Sequence, residues 1–305
     1  MLELRKEKFE IIGCKDNQEA YHRGGLSFWS SVRKKLLRNK LFIFAVILFI
    51  LLLLAMIICP IFGKFEYIET FKDVYCPPNS TYWFGTCADG RDLYAGVWLA
   101  TKHTLIIAVL VTFLNVSIGV VFGGICSFYG GLIDEIIVRI IEILTSLHVI
   151  IILVVLICIT GSPLISLVMA MVLWGVGNIA LIVRGQLLKV REQEYILAAK
   201  ALGASTSRVL CNHFFRNVLS TCIIMISLEI PSTILLESTL SFLGLGSSVY
   251  FITLGGLIRI NSGMLLFYPY SIMIPSAILV ILALSLNIIG DALRDAFDPE
   301  EVIID

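Results

Sequence analysis

Polar and apolar positions along this chain fall into long blocks rather than single alternations. The first apolar block, LFIFAVILFILLLLAMIIC at 41–59, holds nineteen residues without a polar side chain. About twenty such residues cross a bilayer core as a helix. The core helix of a soluble protein keeps a polar face, and this block has none. It starts after forty residues and no small-residue cleavage site follows, so it does not read as a cleaved leader. Five more blocks follow at 103–126, 136–159, 164–183, 218–236 and 271–289. The pattern predicts an all-α polytopic membrane protein with six transmembrane helices. It contains no sustained heptads, low-complexity tract or solenoid repeat.

One polar stretch interrupts the apolar half of the chain: REQEYILAAKALGASTSRVL, 191–210. Its first part, 191–202, predicts a short helix. Glu192 and Glu194 sit in the first turn, where the helix dipole favours negative charge, and Lys200 sits near the end. Tyr195, Ala198, Ala199 and Leu202 share one face. Gly203 supplies the left-handed residue that ends many helices, and Ser205 can cap a second helix running into the fifth span. Ala198 and Ala199 leave room for a partner's backbone, with Tyr195 and Leu202 as flanking anchors. From these residues alone two roles stay open, protein docking and lipid contact; an interfacial helix favours a bulkier apolar face.

Composition agrees with the blocks. The 305 residues are 58% hydrophobic and 15% charged, against about 25% charged in a soluble domain. A net charge of zero leaves no nucleic-acid footprint. The distribution of cations carries more information than their sum. Ten of the 23 Lys and Arg lie in the first forty residues and six more across 184–216, with Arg139 and Arg294 on the same side. Lys64, Lys72, Arg91, Lys102 and Arg259 make up the other side. Cytoplasmic loops carry the Lys/Arg excess, so both termini and the 191–210 stretch are expected inside. The organisation is then a cytoplasmic segment 1–40, a first span 41–60, an extracytoplasmic loop 61–102, a five-helix core 103–293 enclosing the cytoplasmic loop 184–216, and a cytoplasmic tail 294–305.

Candidate chemistry is sparse. Cys76 and Cys87 lie eleven positions apart in the outer loop; they are a candidate disulfide, with two free thiols as the equal alternative. Cys59, Cys126, Cys158 and Cys222 read as small apolar fillers within spans. No CxxC pair exists, and His22, His103 and His213 lack ligand spacing, so no metal site is expected. Asn79-Ser80-Thr81 fits the glycosylation pattern, which matters only in a eukaryotic secretory setting. There is no GxxxxGK[ST], HExxH or G-x-S-x-G, so the chain is expected to be neither an ATPase nor another enzyme. Polar residues within spans usually face a cavity or a partner. Glu229, Thr233 and Glu237 fall on one face of the fifth span, which Pro231 is expected to bend. Glu142, Thr145 and His148 form a second candidate stripe on the third. Glu229, Thr233 and His148 are therefore candidate pathway residues. The alternative is packing, with Glu142 paired to Arg139 and Glu237 at the membrane edge.

At EYILAAKALGAS, 194–205, the chain resembles the coupling-helix signature of bacterial ABC-importer permeases of the dipeptide/oligopeptide group. That signature runs E-A-A, three residues, Gly, nine residues, then I-x-L-P. Ala198, Ala199 and Gly203 match it. Leu197 stands where Glu is usual, and His213, Phe215 and Arg216 stand where Ile, Leu and Pro are common. The peptide subgroup usually carries His followed by Pro-Asn; of these, His213 and Asn217 are kept. The resemblance extends over nearly the whole chain. FGTCADGRDLYAGVWLATKHTL before the second span matches the family's G-T and G-R-D-L elements at Gly85, Thr86, Gly90, Arg91, Asp92 and Leu93, but not at Cys87. FYGGLIDEIIVRIIEIL after that span, ESTLSFLGLG at 237–246 and GDALRDAFDP at 290–299 follow in family order. The family also carries Glu at the position of Glu237.

The resemblance, best to the C-type permease, implies a type I ABC-importer permease fold with a cytoplasmic coupling helix, in the bacterial cytoplasmic membrane. It implies that Glu194, Tyr195, Ala198, Ala199, Leu202, Gly203 and Ala204 couple to an ATPase. No cofactor is expected on this chain; ATP and Mg belong to two partner ABC ATPase subunits. The other implied partners are a paralogous B-type permease, an extracytoplasmic substrate-binding protein and membrane lipid, with no nucleic acid. Arg91 and Asp92 become candidate contacts for the binding protein or a plug over the pathway; the alternative is an ordinary loop salt bridge. Implied cargoes are oligopeptides or dipeptides, though related members carry nickel chelates and other small solutes. A reading of a different class is an ion-coupled secondary transporter. It predicts repeated halves with broken spans, and no internal repeat is visible.

Overall fold

The computed structural model describes residues 28–71, 73–191, 193, 206–246 and 251–297, with 28–31 and 206–220 as backbone only. Its helices are α1 (Phe28–Arg38), α2 (Lys40–Phe62), α3 (Leu93–Tyr129), α4 (Gly131–Ser146), α5 (Val149–Thr160), α6 (Pro163–Arg191), α7 (Thr206–Phe242), α8 (Leu254–Asn261) and α9 (Tyr270–Phe297). Among the described residues the only β pairing is an isolated bridge between Thr86 and Asp92.

The helix starts follow local chemistry. Asn39 opens α2, its Oδ1 accepting from the backbone N–H groups of Leu41 (3.0 Å) and Phe42 (3.2 Å). Only Ala45 and Leu52 of α2 are buried, so the helix lies at the periphery with apolar side chains turned outward. Against it packs α9. The short α1 docks on the far end of α9, where Val32 meets Ala296 and Phe297 and Lys35 Nζ donates to the Asp295 carbonyl at 2.7 Å.

The centre of the bundle is α3, α6 and α7. Helices α3 and α6 run parallel, with Asn115 at Gly175, Gly119 at Ile179 and Gly123 at Ala180 and Val183. A Cβ on Gly123 would lie 2.6 Å from the Ala180 carbonyl oxygen. The spacing of Gly119 and Gly123 is therefore what lets the two backbones approach, as in small-xxx-small helix pairs in membranes.

Three expectations need correction. First, α3 begins at Leu93, not near 103, so the connecting loop is 63–92. Asp92 caps α3, and the helix runs unbroken through Thr101 and Lys102, which the sequence pattern puts in the loop, into His103 and Thr104. Thr101 Oγ1 donates to the Val97 carbonyl four residues back, which removes its cost inside a helix. Second, the third span is broken. Helices α4 and α5 meet at 90° around Leu147 and His148, both in extended backbone. Together they still run antiparallel along α6: Asp134 meets Arg184, Ile141 meets Gly177 and Leu153 packs with Leu167. Counted as one crossing, the pair brings the spans to six. Third, helix takes up much of the 184–216 loop: α6 runs on to Arg191, and the helix expected after Ser205 does run into the fifth span, as one element of 37 residues from Thr206 to Phe242 with Pro231 inside it. Helices of this length and apolarity make the chain a multi-pass membrane protein.

Candidate functional site

Midway along α3, α6 and α7 the helices part around a cavity of about 280 Å³. Helix α3 contributes Val111 and Asn115; α6 contributes Met171, Trp174, Gly175 and Asn178; α7 contributes Glu229, Ser232, Thr233 and Leu236. Asn115 Nδ2 donates to Glu229 Oε1 at 3.4 Å, and the hydroxyls of Thr112 and Thr233 meet at 3.4 Å beside it. Asn115 is 1% exposed, and its Oδ1 has no hydrogen-bond partner. Its amide lies directly over Gly175, where any Cβ would collide with it. Asn178 and Ser232 are exposed at the mouth. Exposed polar groups at half-depth do not suit hydrocarbon; they suit water, a partner or a polar solute.

Of the pathway candidates, the fold brings Glu229 and Thr233 together here and leaves His148 out. His148 sits at the α4–α5 break, exposed, where its Nδ1 accepts from the Ile150 N–H at 3.4 Å as an N-cap. The break turns it off the stripe that an unbroken helix would give. Glu142 pairs with Arg139 on the surface at 2.8 Å. Glu237 is also not a cavity residue. It is 0% exposed, and its carboxylate accepts from Ser241 Oγ at 2.6 Å and Ser238 Oγ at 3.3 Å. A buried carboxylate with hydroxyl partners of this kind fixes packing near α8. Asn115 was missed from sequence, although a lone Asn within an apolar run is itself a signal.

The loop 63–92 forms a folded cap over α8 and the start of α9. The Ala88 N–H donates to Asn261 Oδ1 at 3.1 Å, Tyr270 Oη donates to the Cys76 carbonyl at 2.9 Å, and Tyr75 stacks on Tyr268 with ring centroids 4.7 Å apart. Asp92 works inside this cap, and Arg91 beside it is half-buried. Asp92 is 3% exposed and accepts from the Ala95 N–H at 3.1 Å, as the N-cap of α3. Burial raises its pKa above the usual carboxylate range, and the Ala95 and Tyr94 N–H groups oppose that shift. The Arg91 guanidinium lies 5.1 Å from the centre of the Tyr67 ring. Burial chiefly, against the pull of Arg91, raises the Tyr67 phenol. The candidate disulfide is not formed: both cysteines are free thiols. Cys87 is buried, which pushes its thiol up to about 12, while Cys76 accepts from Asn79 Nδ2 at 3.2 Å. A thiol so far from ionising is a poor nucleophile for exchange.

The coupling candidates Glu194, Tyr195, Ala198, Ala199, Leu202, Gly203 and Ala204 lie outside the described residues. Their flanks are described: α6 ends at Arg191 and α7 starts at Thr206. Near that end Arg184 holds Asp134 with two hydrogen bonds, Nε to Oδ1 and Nη2 to Oδ2, each 2.5 Å. Among the described residues no group of His, Cys, Asp and Glu could hold a metal ion.

Five long apolar helices, or six crossings with the bent α4–α5 pair counted as one, and a polar cavity between α3, α6 and α7 suit a membrane-embedded transport subunit, and comparison with known proteins gives that class. Residues 115–301 match the family described as binding-protein-dependent transport system inner membrane component, and residues 27–78 match the N-terminal transmembrane domain of oligopeptide transport permease C. The chain belongs to the binding-protein-dependent transport system inner membrane component family. It is 33% identical to the oligopeptide transport system permease protein OppC of Bacillus subtilis, over 98% of this chain and 99% of the relative. It is 30% identical to the dipeptide transport system permease protein DppC of Bacillus subtilis, over 96% and 93%. It is 32% identical to OppC of Escherichia coli K12, over 91% and 93%. The solved MetNI methionine ABC transporter, in inward-facing conformations, superposes with a TM-score of 0.51 at 20% identity, covering 67% of this chain and 95% of that one. The chain thus has the type I importer permease fold.

Proposed function

We propose that this chain is one of two paralogous permease subunits in an ATP-driven importer of oligopeptides or dipeptides. The observation that carries the reading is similarity along nearly the full length to permeases named for those cargoes, at 33% and 30% identity. In this reading both termini and 194–204 face the cytoplasm, in keeping with the Lys/Arg bias. Glu194, Tyr195, Ala198, Ala199, Leu202, Gly203 and Ala204 dock on an ATPase subunit that holds ATP and Mg. An extracytoplasmic binding protein delivers cargo to the side of loop 63–92. The cavity of Glu229 and Thr233 lies on the route that cargo takes against the paralogous permease. Helices α6 and α7 flank the docking segment directly, so a displacement of that segment is transmitted to two walls of the cavity.

The test is purification of the tagged chain from its own membranes in mild detergent, with mass spectrometry of what accompanies it. The expected result is a second six-span permease and P-loop ATPases, lost in Gly203→Asp. Recovery of a folded chain without them refutes the reading.

A further inference from the structure

We propose that the cavity between α3, α6 and α7 is a recognition subsite for a primary ammonium group, so that a peptide passes it with its α-amine bound at Glu229 and Asn115. This rests on the importer reading above and assigns what the cavity holds.

The lining is built for a cation. Glu229 is the one charged residue among the groups that line it. Asn115 donates to one Glu229 oxygen through Nδ2, which turns its Oδ1 away as a free acceptor. That Oδ1 is buried and unpaired, and an unpaired buried acceptor is costly unless a donor arrives. An ammonium offers three donors and no acceptor. Glu229 and Asn115 Oδ1 can take two of them, and the Thr233 or Ser232 hydroxyl can take the third. Trp174 adds an aromatic face to the same wall, a surface that attracts cations. A carboxylate group finds nothing comparable, because no Lys, Arg or His lines the space.

Size agrees with the assignment. A volume of about 280 Å³ suits an end of a peptide rather than a long one in full, and small-molecule pockets begin at roughly this size. Gly175 is the device that makes the site: its missing side chain is the space in which the Asn115 amide lies. The exposed Asn178 and Ser232 at the mouth give the rest of the peptide polar contacts.

The experiment uses the complete transporter in proteoliposomes with its binding protein, during ATP turnover. Alanine tripeptides carry a photoreactive diazirine side chain at residue 1 or at residue 3, and crosslinks are mapped after a flash. The expected result is labelling of the α3, α6 and α7 cavity residues from residue 1 and not from residue 3. It falls by roughly tenfold or more in Glu229→Gln, as when one partner of a desolvated charge pair is removed, and is largely kept in Glu229→Asp. Both variants are first checked for assembly at wild-type yield; if Glu229→Gln fails to assemble, Asn115→Leu replaces it with the same expectation. An N-acetylated tripeptide with lysine beside the probe separates the two sources of ammonium. Labelling by it supports a site for any primary ammonium, and no labelling supports a site for the α-amine alone. Equal labelling from both ends, labelling by a neutral N-acetylated peptide, or uptake with no cavity labelling overturns the proposal and leaves the importer reading standing. No ATP-driven uptake of any peptide overturns the importer reading instead.

Discussion

Arg184 on α6 holds Asp134 on α4 through both arms of its guanidinium, at 2.5 Å each. The pair closes the Gly130–Gly131 turn between α3 and α4 against the helix that leads to the 194–204 segment. It is the one ion pair among those described that joins two different helices. Bidentate geometry of this kind is the strong form of a charged hydrogen bond.

Asp134→Ala leaves a partly buried guanidinium without its acceptor and is expected to destabilise the protein by about 2 kcal/mol. The charge-swapped double variant Asp134→Arg with Arg184→Asp should recover part of that loss. Thermal aggregation in detergent, run as a double-mutant cycle, measures both; additive single effects would contradict the pairing.

Gly123→Ala puts a methyl group against the Ala180 carbonyl at the α3–α6 contact. Overpacking of this sort costs about 1–3 kcal/mol. Gly185→Ala on the same α6 meets nothing within 4 Å and should be neutral or slightly stabilising, since Ala is the better helix former. Equal thermal stability of the two variants would argue against close α3–α6 packing.

Asp92 has two roles that substitution can separate. Asp92→Ala removes the N-cap of α3 and should cost about 1 kcal/mol. Asp92→Asn keeps an acceptor for the Ala95 N–H while removing a charge that burial disfavours, so its stability should equal or exceed that of the wild type. Peptide-uptake rates in both should follow stability, because Asp92 is too buried to touch a binding protein. Loss of uptake in a stable Asp92→Asn would restore the contact role.

Cys87 ties stability to alkaline pH. Its folded thiol is raised from 9.0 to about 12, so burial of the neutral thiol contributes fully below about pH 9 and is lost as pH rises toward about 12. Cys87→Ala should therefore lose less stability than the wild type over that interval. In the folded protein a maleimide at neutral pH should leave Cys87 unlabelled, and reductant should change nothing. A mobility shift on reduction would mean that Cys76 and Cys87 pair after all.

The spans were legible because lipid imposes continuous apolar blocks, and the block at 41–59 maps onto α2 almost without change. The start of α3 was not, because the polar run from Thr101 to Thr104 reads as the edge of the apolar block, which left 93–102 in the loop although the helix reaches back to the folded cap. The α4–α5 break was not read: 147–148 carry no Pro or Gly, and the polar Thr145 and His148 beside it read as a stripe on one unbroken helix. That break takes His148 off the face it would share with Glu142 and Thr145 on an unbroken helix. Glu229 and Thr233 could be paired from i, i+4 spacing on one helix, whereas Asn115 comes from another helix, and no one-dimensional spacing brings it to them. Cys76 and Cys87 have a spacing that permits a bond, but spacing carries no information about the burial of Cys87 against Asn261.

The account stands on ATP-driven peptide import through this chain, and uptake measures it directly. Labelled tri-alanine uptake is compared in cells lacking the chain and in cells restored with the wild type or with Gly203→Asp. The account predicts uptake that returns with the wild type, stops on ATP depletion, and stays absent with Gly203→Asp inserted at normal levels. Uptake that survives loss of the chain, or that an ion gradient drives after ATP is exhausted, would contradict it.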